Sequence, residues 1–323
     1  MINRDLIRIK IVQLTYAYYQ NGDRNIDKAE KELLFSLSKA YELYNYLLYL
    51  IVAITQEERK RIDILAKRAE REEAEMPSLR IINNKFAIQL EENKQLNLYI
   101  NDKNLSWDTD IEFIQKLCNQ IEQSNIYKQY LENEEESYDI DREFWRKIYK
   151  TLIQDNEELY DILEDKSLYW NDDKYIVDTF VLKTIKRFNF NAKSDQELLP
   201  EFNNEDEREF ATKLFRATIL NADTYQQYMS DTSLNWDFSR LAYMDIVIMQ
   251  IAIAEMLTFP NIPLNVTINE YIELAKMYST PRSGSYVNGM LDTIARQLID
   301  NKILCKQITN LSSKNIKVQN NKN

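Results

Sequence analysis

The sequence predicts an all-α fold, a helical bundle enlarged by a helical insertion. The chain has only three glycines and five prolines in 323 residues, and a chain that avoids both residues is built mainly from helix. Apolar residues recur at helical spacing along most of its length. A helical segment also occurs twice, each copy closed by a tryptophan. Two of the three glycines fall in one stretch, STPRSGSYVNGMLDTI at 279–294. That concentration marks a loop held to a special shape and a candidate site.

Taken in order, residues 3–19 place Ile7, Ile11, Leu14 and Tyr18 on one helical face with Arg4 and Arg8 on a neighbouring edge, until Asn21-Gly22 breaks the helix. From Asp27 to about Glu75 the pattern is helical again and grows densely charged, a solvated face by its composition. The segment from Arg142, REFWRKIYKTLIQDNEELYDILEDKSLYW, aligns without a gap with the segment from Arg208, REFATKLFRATILNADTYQQYMSDTSLNW. A fainter copy ends at Trp107. Trp107, Trp170 and Trp236 are read as plugs between helices of a duplicated hairpin, rather than platforms for ligand stacking.

Beyond Pro200, Phe210 to Tyr228 reads as one helix and Leu241 to Leu257 as a helix buried nearly all round. Thr267 and Glu270 read as a capping box for INEYIELAKMY. After the glycine-bearing loop, Val287, Met290, Leu291, Ile294, Ala295, Leu298 and Ile299 hold one helix register. The last 23 residues carry five lysines and no acid, the composition of a disordered basic tail.

The net charge of −11 argues against general nucleic-acid coating but leaves room for a local basic face. The absence of histidine removes the commonest general base and transition-metal ligand. No phosphate loop, paired Cys-x-x-Cys or nucleophile elbow is present. The acidic run ENEEESYDID at 132–141 lacks the glycine and alternating ligands of a calcium loop. These observations point away from an enzyme and call for no cofactor and no metal. Two cysteines and no membrane-length apolar run suit a cytoplasmic protein.

In the C-terminal third, Glu255, Ile262-Pro263, Ile268-Asn269-Glu270, Ile272-Glu273-Leu274-Ala275-Lys276, Tyr286-Val287-Asn288-Gly289 and Leu291-Asp292 form one ordered set of motifs. In that set the chain resembles the NusB family of transcription antitermination factors. Val12-Gln13 and Tyr16 match the family's first helix, although Asp5 and Leu6 stand at positions that are basic in other members. The resemblance covers residues 1–40 and 204–304, leaving 41–203 as a helical insertion and 305–323 as the tail. The insertion reads equally as a binding surface or as padding.

The resemblance implies a NusB-like bundle that binds boxA-type single-stranded RNA together with the ribosomal protein NusE, with the RNA polymerase elongation complex as a further partner. It implies no catalysis. RNA contacts fall on Arg4, Arg8, Arg282, Ser283, Tyr286 and Asn288, and partner contacts on Tyr16 and Asp245. Gly284 reads as letting the loop turn tightly and Gly289 as removing bulk where helix and backbone meet, while Asn288 and Gly289 read equally as a helix cap with a packing role. The rival reading is an acidic protein-interaction scaffold without RNA binding. NusB-like modules also occur in rRNA methyltransferases, but the chain has no Gly-rich cofactor domain after its bundle.

Overall fold

The computed structural model describes residues 1–22, 24–232 and 242–306. Among them the chain is helical throughout, with a single isolated bridge between Ile2 and Phe202 in place of any strand. The helices are α1 (Arg4–Gln20), α2 (Ile26–Glu72), α3 (Lys85–Glu91), α4 (Lys94–Lys103), α5 (Ile111–Gln123), α6 (Asn125–Glu132) and α7 (Tyr138–Ile148). They continue with α8 (Glu157–Lys166), α9 (Lys174–Arg187), α10 (Glu205–Leu220), α11 (Ala222–Thr232), α12 (Tyr243–Thr258), α13 (Leu264–Tyr278) and α14 (Ser283–Asp300). Two compact units emerge, one of residues 1–2 and 36–203, the other of 3–35 and 204 onward.

The second unit is a bundle around α12. This helix is so apolar that Val247 to Met256 are buried without interruption, and α1, α10, α11, α13 and α14 all pack on it. Asn side chains start several helices: Asn3 and Asn204 accept from backbone N–H groups three residues on, at 3.0 and 3.1 Å. Where one helix is expected from Phe210 to Tyr228 there are two, because the chain breaks at Asn221. Its amide side chain bonds back to the Ala217 carbonyl at 3.0 Å, ending α10.

In the first unit, α3 packs on α7, α5 and α7 on α6, and α7 on α9. Trp107 and Trp170 are buried and both pack on Tyr46 of α2, at ring-centroid distances of 4.1 and 5.6 Å. Their indole N–H groups donate to the Tyr46 and Lys39 carbonyls at 3.3 and 2.9 Å. They are plugs, as the sequence suggests. Trp236 lies outside the described residues, as does the tail from 307 onward. Asp178, also buried, accepts from Tyr149 at 2.6 Å and from Lys174 at 2.8 Å, so its charge is paired rather than stranded.

The described parts of the two repeated segments fold alike. Phe144, Trp145, Ile148, Tyr149, Leu159 and Leu163 are buried, and sixty-six positions on so are Phe210, Ala211, Leu214, Phe215, Tyr225 and Met229. Each copy is two successive helices, α7 with α8 and α10 with α11. The copies differ at their first helix end, where Tyr149–Ile153 widen into a π turn in the first copy only. A further helix follows each tryptophan, α9 and α12.

Candidate functional site

The sequence concentrates its glycines in α14, not in a loop. Ser283 opens that helix behind Arg282 at the cap position, so Gly284, Tyr286, Asn288 and Gly289 are all helical. No glycine has a positive φ. This corrects two expectations: Gly284 does not make a tight turn, and Asn288 with Gly289 is not a cap. Gly284 has a steric reason instead, since a Cβ there would lie 2.9 Å from Cγ of Lys276. Gly289 shows no such reason among the described residues, where a Cβ would meet nothing within 4 Å. Among the described residues it relieves no crowding.

Gly289 lines a groove of about 840 Å³. Among the described residues this groove is lined by Thr232, Pro281, Arg282, Ser285, Tyr286, Gly289, Met290 and Thr293. A glycine inside a helix costs about 1 kcal/mol against alanine. Among the described residues no packing gain offsets that cost. Arg282 is exposed at its rim and Tyr286 half-buried in its wall. Burial first, and then the nearby Asp245 carboxylate, hold the Tyr286 phenol above the usual tyrosine range. It therefore stays a neutral ring at physiological pH.

Ser283 points away from this groove. Its hydroxyl donates to Asp245 Oδ2 at 2.9 Å and accepts from the Thr280 N–H at 3.1 Å. Ser283 and Asp245 are both buried, which corrects their assignment as exposed contacts. They tie the start of α14 to α12 and so fix where Arg282 and Tyr286 stand. Asp245 Oδ1 has no hydrogen-bond partner among the described residues. Asn288 is exposed on α14 but does not line the groove.

The first helix divides its two arginines. Arg4 is exposed, with its guanidinium 5.0 Å from the Phe210 ring centroid. Arg8 is buried and grips Glu255 with both arms of its fork, Nε to Oε2 at 2.8 Å and Nη2 to Oε1 at 2.9 Å. Thr267 donates to Oε1 at 2.8 Å and Tyr271 to Oε2 at 3.0 Å, so the fully buried Glu255 has four donors. Burial works against the Arg8 charge, yet its hydrogen bonds to Glu255 prevail and raise it above the ordinary arginine range. Arg8 is thus a clamp between α1 and α12, not the surface cation its spacing suggests.

Thr267 belongs to the same clamp. It sits inside α13, which begins at Leu264, so the expected capping box is absent. Neither Arg4 nor Arg8 lines the α14 groove. Tyr16 is exposed and meets the exposed Tyr243 edge-to-face, with centroids 5.7 Å apart. Tyr243, Thr232 and Ser285 carry no sequence signal of their own, because only the packing of distant helices brings them to these places.

The family model described as "NusB family" matches residues 176–296. Over 135 residues the chain is 36% identical to the transcription antitermination protein NusB of Geotalea daltonii, an alignment covering 42% of this chain and 90% of that relative. The chain belongs to the NusB family. The NusB proteins of Dictyoglomus turgidum and Salinibacter ruber are 38% and 40% identical, over 33% and 29% of this chain. Those alignments span 74% and 58% of the relatives' own lengths. A solved structure of T. maritima NusB is 31% identical, covering 36% of this chain and 82% of that one, with a TM-score of 0.28. The α14 groove and the Arg8–Glu255 clamp both lie in the unit that carries most of the NusB match. No helix among the described residues is long and apolar enough to cross a membrane.

Proposed function

We propose that this NusB-family protein binds boxA-type single-stranded RNA along the α14 groove, jointly with the ribosomal protein NusE, and acts by binding alone in antitermination of rRNA transcription. The observation that carries this reading is Gly289, a helix-interior glycine that no described residue crowds, beside an exposed arginine and a tyrosine ring. Single-stranded RNA is held by cations on phosphates and by aromatic faces on splayed bases. Arg282 supplies the cation, Tyr286 the face, and Gly289 lets a strand approach the helix backbone. Arg4 and Asn288 are exposed and extend the contact, while Ser283 and Asp245 position it.

The exposed Tyr16–Tyr243 pair is the surface we assign to NusE, and the acidic body favours a basic ribosomal protein by charge. Contact with the transcribing polymerase belongs to the same proposal.

The test is the binding of boxA RNA to the whole chain, with and without NusE, across a salt series. Arg282→Ala should weaken binding by about 1 kcal/mol and flatten the salt dependence, because a phosphate contact releases counterions. Tyr286→Ala should cost about 1–3 kcal/mol, a loss that persists at high salt because stacking is not a counterion effect. Parent-like binding by both folded variants refutes the groove as the RNA site. A parent that binds NusE but no RNA is the interaction scaffold instead.

A further inference from the structure

The second half of α2 carries a ridge of one charge sign that neither the fold nor the groove uses. Glu58, Ile62 and Ala69 are buried and mark the side of the helix that faces its unit. Directly opposite, within roughly 60° of helical arc, stand Lys60, Ile64, Lys67 and Arg71, with Arg68 beside them. All five are exposed, Ile64 at 68%. The acids of this stretch lie on the flanks of the ridge, not on its crest. At about 1.5 Å per residue, Lys60 and Lys67 are about 10 Å apart along the axis, and Lys67 and Arg71 about 6 Å.

What holds these cations is weak. Lys60 reaches Glu57 at 3.3 Å and Arg68 reaches Glu72 at 2.9 Å, both exposed on the lysine or arginine side. Pairs of this kind contribute little and open cheaply. Among the described residues, neither Lys67 nor Arg71 has a carboxylate partner within ion-pair distance; Arg71 instead donates to the Lys67 carbonyl at 3.1 Å. Asp63 and Glu70 stand exposed on the flank away from Arg68, so the single sign belongs to the crest and not to the whole outer face. A crest of lysine and arginine on a chain of net charge −11 needs another account.

We infer that this ridge is a second, sequence-independent contact for the phosphate backbone of single-stranded RNA. The inference rests on the proposed function, which puts the protein on nascent transcripts. Exposed cations along one line match a polyanion. The ridge offers no aromatic ring for a base and no amide for a base edge, so it positions a strand without reading it. Two exposed aliphatics, Ile64 and Leu65, do not make the heptad seam that a helical protein partner would need.

The probe is a uridine homopolymer, titrated into the whole chain by fluorescence anisotropy over a salt series. Lys67 and Arg71 are solvent-facing, so the double variant Lys67→Gln/Arg71→Gln keeps the fold, which circular dichroism checks. Loss of two phosphate contacts should flatten the log–log salt slope by about 1.4 and weaken binding about tenfold near 0.2 M salt. The same loss should appear in an Arg282→Ala background, because the ridge acts apart from the groove. An unchanged slope and affinity overturns the inference. So does a variant that binds the homopolymer normally but loses binding to polyglutamate, since the ridge would then take an acidic protein. Homopolymer binding that depends on the ridge in a parent that fails to bind boxA RNA would refute the groove reading and leave the ridge standing.

Discussion

Arg8→Ala removes the fork that neutralises Glu255 and leaves a carboxylate with no solvent exposure and only two donors, Thr267 and Tyr271. Removing one partner of a buried pair costs about 3–5 kcal/mol, because the remaining charge stays buried. The two surviving hydroxyls place the expected loss toward the lower end. For a unit of this size each kcal/mol lowers the melting temperature by roughly 2–4 °C, so a fall of about 6–20 °C is expected. The assay is calorimetric or circular-dichroism melting of the whole chain. RNA binding is measured well below the new transition, where Arg8→Ala should bind boxA RNA within a few-fold of the parent. Arg8→Lys should recover only part of the stability, since an ammonium cannot reproduce the two-armed grip. An Arg8→Ala protein that melts within 2 °C of the parent and loses RNA affinity would show that this arginine faces the ligand, and the clamp reading would be wrong.

Gly289→Ala should stabilise the chain by about 0.5–1 kcal/mol in urea unfolding, since the methyl meets no described residue, while RNA affinity falls if the strand rests on the α14 backbone. Trp170→Ala should cost about 3–5 kcal/mol, measured in the same way, through loss of its packing on Tyr46 and its bond to Lys39. The phenols of Tyr44, Tyr149 and Tyr271 are raised, chiefly by burial. Their folded values lie above an unfolded value of about 10, so their contribution is complete below that pH and is lost as pH rises through the folded values. Ellipticity should therefore hold to about pH 10 and collapse above it, and Tyr149→Phe should shrink that alkaline loss.

The helices were legible because their signals are local. The apolar face of α12 announces burial by composition alone, and Asn21-Gly22 ends α1 by its own chemistry. The fate of Arg8 was not legible, because an arginine at a helix edge looks the same whether it meets solvent or a glutamate 247 positions away. The same holds for the glycines. Two of them near a proline suggest a loop, yet the helix runs through both, as packing along α13 and α12 overrides propensity. Of the residues suggested for RNA, Arg282 and Tyr286 were found from family pattern and stand together in space. Ser283 and Asp245 were named for the surface, but they hydrogen-bond to each other inside it.

The matched hairpins pose a sorting problem for the nascent chain. At 5–20 residues per second, the first hairpin leaves the ribosome roughly 3–13 s before its counterpart, sixty-six positions on. The two hairpins present a similar order of apolar side chains. Trp145 and Ala211, at equivalent positions and both fully buried, differ sharply in size. The indole would overpack the alanine's seat, and the alanine would leave a hole in the indole's. Exchanging these two residues should erase that discrimination and yield misassembled, aggregation-prone chains although the composition is unchanged.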